Sequence, residues 1–151
     1  MKIVLQRVKE ASVEVNEKVV GKIGRGVCLL VGIERGDSEE DAQYLAKKVI
    51  ELRIFPDKEG KMNLSLQEIQ GEVLAVSQFT LASSVRKGRR PSFDKAEVAE
   101  KADKLFNEFA TLIRERGIKV ETGIFQAMME VHMINEGPVT FILQSKQSGR
   151  E

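Results

Sequence analysis

The chain has 151 residues, 42% hydrophobic and 31% charged, enough apolar material for one domain with a buried core under a solvated surface. Its formal net charge of +1 gives no global nucleic-acid signature, and its single cysteine excludes an internal disulfide framework, which points to a reducing cytoplasm. The opening MKIVLQRVKE, its apolar stretch broken by Gln6 and Arg7, is too short for a signal peptide or a membrane span.

In chain order, KIVLQRV and SVEVN are β-prone, and an Asn-Glu turn leads into EKVVGKIG, which predicts a meander. GVCLLVGI, a continuous apolar run bounded by glycines, predicts a central strand buried on both faces. Cys28 inside that run reads as a small core residue rather than a nucleophile. A helix is expected next, capped by Asp37 with Glu40 three residues on, with Ala42, Leu45, Val49 and Leu52 along one face. IFPDKEGKMN reads as a short strand and turn, because Pro56 can continue neither a helix nor a central strand.

EVLAVSQFTL predicts another strand, followed by the loop ASSVRKGRRPSF. A second helix is expected from a cap at Asp94, with Glu97 behind it, to the stop at Gly117. Its apolar face would be Val98, Leu105, Phe106, Phe109, Leu112 and Ile113. After IKVETG come two strands, AMMEVHMI and VTFILQS, joined by NEGPVT at 135–140, which reads as a hairpin connection. The last few residues are expected to be a flexible tail. The expectation is a single mixed α/β (α+β) domain over 1–151, rich in antiparallel sheet, with two main helices packed on the sheets. GKIGRG lacks the G-x-G-x-x-G spacing, so its glycines read as turns, and no βαβ alternation with a phosphate-binding loop is apparent.

Elimination narrows the chemistry. A His/Cys metal site needs several ligands and the chain has one of each, so no metal and no cofactor are expected. Any Ser-His or Cys-His system would have to use His132, which alternates with Val131 and Met133 along a strand and reads as a surface residue. An enzyme built from this chain would work without a protein general base. It would suit an already labile ester, attacked by a positioned water, with donors aimed at the developing oxyanion. The candidates are backbone N–H groups and the side chains of Ser77, Gln78 and Thr80, each commonplace in a strand when taken alone. Arg86, Lys87, Arg89 and Arg90 form a local basic patch, which fits a solvated loop as well as an anion-binding one.

Together, SQFTL at 77–81 and NEGPVTF at 135–141 resemble the two signature motifs of the D-aminoacyl-tRNA deacylases. QRV, LRIFPDKEGKMN, KGRRPSF and VETGIF agree, so the resemblance runs almost from end to end. It implies a homodimer that hydrolyses the ester between a D-amino acid and the 3′ end of tRNA, and that also removes glycine mischarged onto alanine tRNA. In the family the Gly-Pro bond is cis and the pair enters the other subunit's active site; Gly137 and Pro138 match it. Ser77, Gln78, Phe79 and Thr80 match the motif that lines the pocket for the terminal adenosine and the scissile ester. Arg7 matches the arginine that steadies the Gly-Pro element, and Phe125 and Met129 match pocket positions. FQAMM departs from the family habit of Gly or Ala after the Phe and Asp before the Met, with Gln126 and Met128 standing there.

These implications carry a physical rationale. A stiff backbone wedge can test handedness without reading a side chain, clashing with an L substituent and accepting a D one; glycine would escape it. Two mechanisms are compatible with the motif: Thr80 as nucleophile, or activation of water by the 2′-hydroxyl of the terminal ribose. The rival readings are an editing domain for mischarged L-amino acids and a non-catalytic tRNA-binding module using the 86–90 patch. The latter lacks the stacked-aromatic pattern of common RNA modules, aromatics being 5% of the chain.

Overall fold

The computed structural model describes residues 1–146; the expected C-terminal tail lies outside them. The organising element is a 14-residue strand, β1 (Lys2–Val15). Asn16 and Glu17 turn the chain back with φ of 49° and 65°, the double left-handed geometry that matches strand twist in two-residue hairpins. β2 (Lys18–Ile23) and β3 (Gly26–Gly32) then run end to end along one edge of β1, both antiparallel to it. The other edge of β1 is taken, also antiparallel, by β8 (Glu130–Gln144).

Beyond β3 the sheet continues through β6 (Glu72–Ser77) and β7 (Val120–Thr122), giving the order β2-β1-β3-β6-β7. Both of these added pairs are parallel. The sheet is thus rich in antiparallel pairing, as expected, with two parallel pairs added at one edge. Helix α1 (Glu39–Glu51) spans the crossover from β3 to β6, and α2 (Ala99–Arg114) the one from β6 to β7. Parallel neighbours require such crossovers. A small antiparallel hairpin, β4 (Arg53–Pro56) with β5 (Met62–Ser65), follows α1.

Alternation along the strands builds two cores. Val27, Leu29 and Val31 of β3, with Val73 and Ala75 of β6, face the helices and pack with Leu45, Val49, Phe106 and Phe109. The intervening Cys28, Leu74 and Val76 face the opposite way, against Val8, Ala11, Val13 and Ile23. β1 serves both: Ile3 and Leu5 belong to the first core, Val8 and Val13 to the second. It changes sides where its pairing with β8 slips, between Val8 and Glu10.

Three boundaries differ from expectation. α1 is capped by Ser38, not Asp37: Asp41 Oδ2 accepts from the Ser38 N–H (2.8 Å) and from Ser38 Oγ (3.1 Å). Asp37 is held outside the helix, accepting from the Met1 amino group and the Glu34 N–H at 2.7 Å each. α2 starts at Ala99, five residues after Asp94, because the intervening chain is tied to the end of β3. Arg35 N donates to Lys95 O (2.9 Å) and Glu97 N to Ile33 O (3.2 Å). Val98, placed on the buried face by the sequence, is therefore a cap residue and 52% exposed. The strand expected to run through Leu81 stops at Ser77, and Phe79–Ala82 form a 3₁₀ turn.

The final correction concerns NEGPVT, which is not a hairpin connection. The segments on either side of it both pair with β1, one after the other, as a single strand. Asn135 lies opposite Val8 and Thr140 opposite Gln6, so Glu136, Gly137, Pro138 and Val139 together face Arg7 alone. The surplus residues must leave the sheet, and they do so as a bulge.

Candidate functional site

A cleft of about 620 Å³ opens where β6 ends, between the 3₁₀ turn, the start of α2 and the segment before β8. Ser77, Gln78 and Phe79 form one wall, and Phe125, Met129 and Val131 another. The turn is fixed from below. Gln78 N donates to Val31 O at 2.7 Å, and Gly32 lies so close beneath that an added Cβ would be 2.8 Å from Leu81 Cβ and 3.0 Å from Gln78 O. A glycine ending β3 is what lets the SQFT backbone settle there. Gln78 Nε2 donates to Thr80 Oγ1. Thr80 is exposed beside the cleft rather than in its lining. The amides of Phe79 and Thr80 open the 3₁₀ turn, where helical geometry provides them no partner.

Val131 lines the cleft, so the next residue, His132, points to the opposite face of β8. There it lies 3.7 Å from Glu14 and 3.9 Å from Glu130. These three side chains, two exposed and Glu14 half-buried, are brought together by strand pairing, a grouping no sequence spacing announced. Cys28 is buried in the second core, and burial pushes its thiol up to about 11, so it stays protonated and unreactive at neutral pH. Among the described residues, the carboxylate lining the cleft is that of Glu97, which accepts from Val98 N at 2.8 Å. The sequence showed it only as a helix-cap partner. Gln126, also in the lining, holds φ +63°. That left-handed conformation is one a glycine adopts without steric cost.

Arg7, Gly137 and Pro138 form a second locus outside this cleft. The Gly137–Pro138 bond is cis, and both residues are exposed. Gly137 has φ +132°, and a Cβ there would meet Val139 Cγ2 at 2.7 Å. Arg7 is 8% exposed. It donates through Nη1 to Ile54 O (2.7 Å) and through Nε to Glu136 O (3.1 Å), which ties the bulge to the hairpin after α1. The Glu136 carboxylate oxygen Oε2 is buried without a hydrogen bond, its nearest cation being Arg7 Nε at 4.0 Å.

The basic residues Arg86, Lys87, Arg89 and Arg90 are exposed on a loop whose two limbs both descend to the cleft, one from Phe79–Ala82 and one into Ala96 and Glu97. Among the described residues, none of the four has an ion-pair partner. The chain thus presents an apolar-walled cleft, a separate projecting Gly-Pro bulge and a cationic loop.

The family model described as D-Tyr-tRNA(Tyr) deacylase matches residues 4–144. A D-aminoacyl-tRNA deacylase of Geobacter sulfurreducens is 58% identical over 146 residues, covering 97% of this chain and 96% of that one. One of Bacillus velezensis is 56% identical, covering 97% and 100%. Among solved structures, a c-Myc DNA unwinding element binding protein superimposes with a TM-score of 0.91 at 40% identity, covering 97% of this chain and 100% of that chain. A probable eukaryotic D-amino acid tRNA deacylase superimposes at 0.82 with 22% identity, covering 94% and 97%, a likeness of fold.

Proposed function

Because the chain belongs to the D-Tyr-tRNA(Tyr) deacylase family, a family of hydrolases, we propose that it removes D-amino acids from tRNA in the cleft described above. In this reading the terminal adenosine and the ester lie between Phe79 and Phe125, and the amides of Phe79 and Thr80 stabilise the oxyanion. Such a donor is worth on the order of 10²–10³ in rate. With His132 turned away, water is activated by the 2′-hydroxyl of the terminal ribose.

Handedness is judged by the Gly137–Pro138 bulge of a second copy. The observation that carries this is the separation of the two motifs. The bulge stands outside the cleft of its own chain, braced by Arg7 and presenting exposed backbone. β8, which bears it, also leaves Ile134, Phe141 and Ile142 exposed at 50%, 36% and 71%. A homodimer could cover such exposed apolar side chains and bring one chain's bulge to the other's cleft. Glycine, lacking a side chain to reject, would also be released from alanine tRNA. The 86–90 loop supplies cations for tRNA phosphates.

The test is a deacylation time course with D-tyrosyl-tRNA, L-tyrosyl-tRNA and glycyl-tRNA(Ala). It uses the wild type, Gly137→Ala and Pro138→Ala, with each variant's fold checked by circular dichroism. The wild type is expected to cleave the D and glycyl substrates and spare the L, and the variants to lose D-over-L preference. Discrimination unchanged in both variants would leave the bulge as an ordinary irregularity of β8.

A further inference from the structure

Phe93 is unused by the site as described. It stands outside the cleft lining, is 41% exposed, and packs on Phe79, itself 59% exposed, with ring centroids 5.1 Å apart and planes inclined at 51°. Two large aromatic rings left this open, side by side, forgo the burial that would normally stabilise them. The loop between them is closed at its base, Ser84 and Ser92 exchanging backbone hydrogen bonds of 2.8 and 2.9 Å. Ser92 Oγ donates in turn to Asp94 (2.6 Å). Past Asp94, Arg35 and Ile33 at the end of β3 hold the descending limb. The closed loop therefore projects its four cations from the cleft rim, on the side where Phe93 stands. A cationic track beside an exposed aromatic face is the combination that binds single-stranded nucleic acid, phosphates on the charges and a base on the ring.

We propose that Phe93, with the loop closed by Ser84 and Ser92, forms a second nucleotide position next to the cleft, stacking the base that precedes the terminal adenosine in the single-stranded 3′ end of the substrate RNA. This rests on the deacylase reading and deepens it. Phe79 belongs to both positions, lining the cleft and packing on Phe93. Arg89 and Arg90, closest in sequence to Phe93, contact the phosphates on its far side.

The experiment compares kcat/KM for a D-aminoacyl-tRNA with that for the same D-amino acid esterified to adenosine alone, which cannot reach Phe93. The ratio of the two is expected to fall roughly 5- to 100-fold in Phe93→Ala, the loss of one base–aromatic stack, and to recover in Phe93→Trp. In Arg89→Ala/Arg90→Ala, the dependence of log kcat/KM on log salt for the tRNA substrate should flatten by roughly 0.7 per phosphate contact removed. A ratio that stays constant, whether both substrates suffer equally or neither does, overturns the proposal and reduces Phe93 to a prop for Phe79. An unchanged salt slope overturns the part assigned to the loop. A wild type that cleaves neither substrate overturns the deacylase reading, and this proposal with it.

Discussion

Gly32 shows how much of the site depends on one missing side chain. Gln78 O and Leu81 Cβ already occupy the space a Cβ would need. Gly32→Ala must therefore displace the 3₁₀ turn that carries the donors. The expected result is a loss of about 1–3 kcal/mol in stability from overpacking and at least a roughly tenfold fall in kcat/KM, since donors act only when held in place. Thermal melting and steady-state deacylation check the two effects separately. Gln126 is the converse, a side chain where the backbone favours none, at φ +63°. Gln126→Gly should relieve left-handed strain of about 1–2 kcal/mol, partly offset by glycine's chain entropy. A melting temperature raised by about 2–4 °C is expected; an unchanged or lowered one would show the strain to be compensated. If the RNA's own 2′-hydroxyl activates water, Thr80→Val and Glu97→Gln should each retain more than about a tenth of the wild-type rate, whereas a 2′-deoxy terminal adenosine should be a poor substrate. An acyl group trapped on Thr80, or normal turnover of the 2′-deoxy substrate, would reverse that assignment.

At the scale of elements, α1 illustrates a cap under electrostatic load. Burial alone would raise the Asp41 pKa. Hydrogen bonds from Ser145 and from Ser38, with the charge of Lys146, outweigh it and hold the carboxyl below its ordinary value of 3.8. A carboxyl depressed in the folded state contributes stability that is fully present above its unfolded value and is lost as pH falls through the folded one. Asp41→Asn should therefore destabilise the protein by about 1 kcal/mol at pH 7. The deficit should shrink towards zero as the wild type is acidified below pH 3.8. Urea unfolding of both proteins at matched pH values measures this; a deficit independent of pH would assign the cost to packing instead. The expected cap, Asp37, had the right residue type at a position one too early. What moved it was its bonds with Glu34 and Met1, from outside the helix.

At the scale of the whole molecule, the proposed second copy is testable through β8. Ile142 is 71% exposed on the strand that bears the Gly-Pro bulge. A charge buried there at an interface would cost several kcal/mol, whereas in a monomer it would cost almost nothing. Ile142→Asp should sediment as a monomer with unchanged far-ultraviolet dichroism, and should lose deacylation of D-aminoacyl-tRNA. A variant that sediments with the wild type, or a monomer that keeps full activity and D-over-L preference, would count against a site shared between copies.

What this sequence determined alone were features carried by neighbours in the chain. The buried central strand followed from the unbroken apolar run around Cys28, and the first hairpin from Asn16-Glu17. The apolar faces of both helices were legible at 3.6-residue spacing, because local sterics and periodic burial act over a few residues. SQFTL and NEGPVTF likewise named the candidate residues before their positions were known. Only the tertiary structure decided which of them meet. Ser77, Gln78, Phe79, Phe125 and Met129 share one cleft, while Gly137 and Pro138 stand apart from it. The same holds for the parallel pairing of β3 with β6, the late start of α2 and the turning of NEGPVT into a bulge opposite Arg7. Each depends on hydrogen bonds between segments distant in the chain, and the residues at either end carry no local mark of the partner they will find.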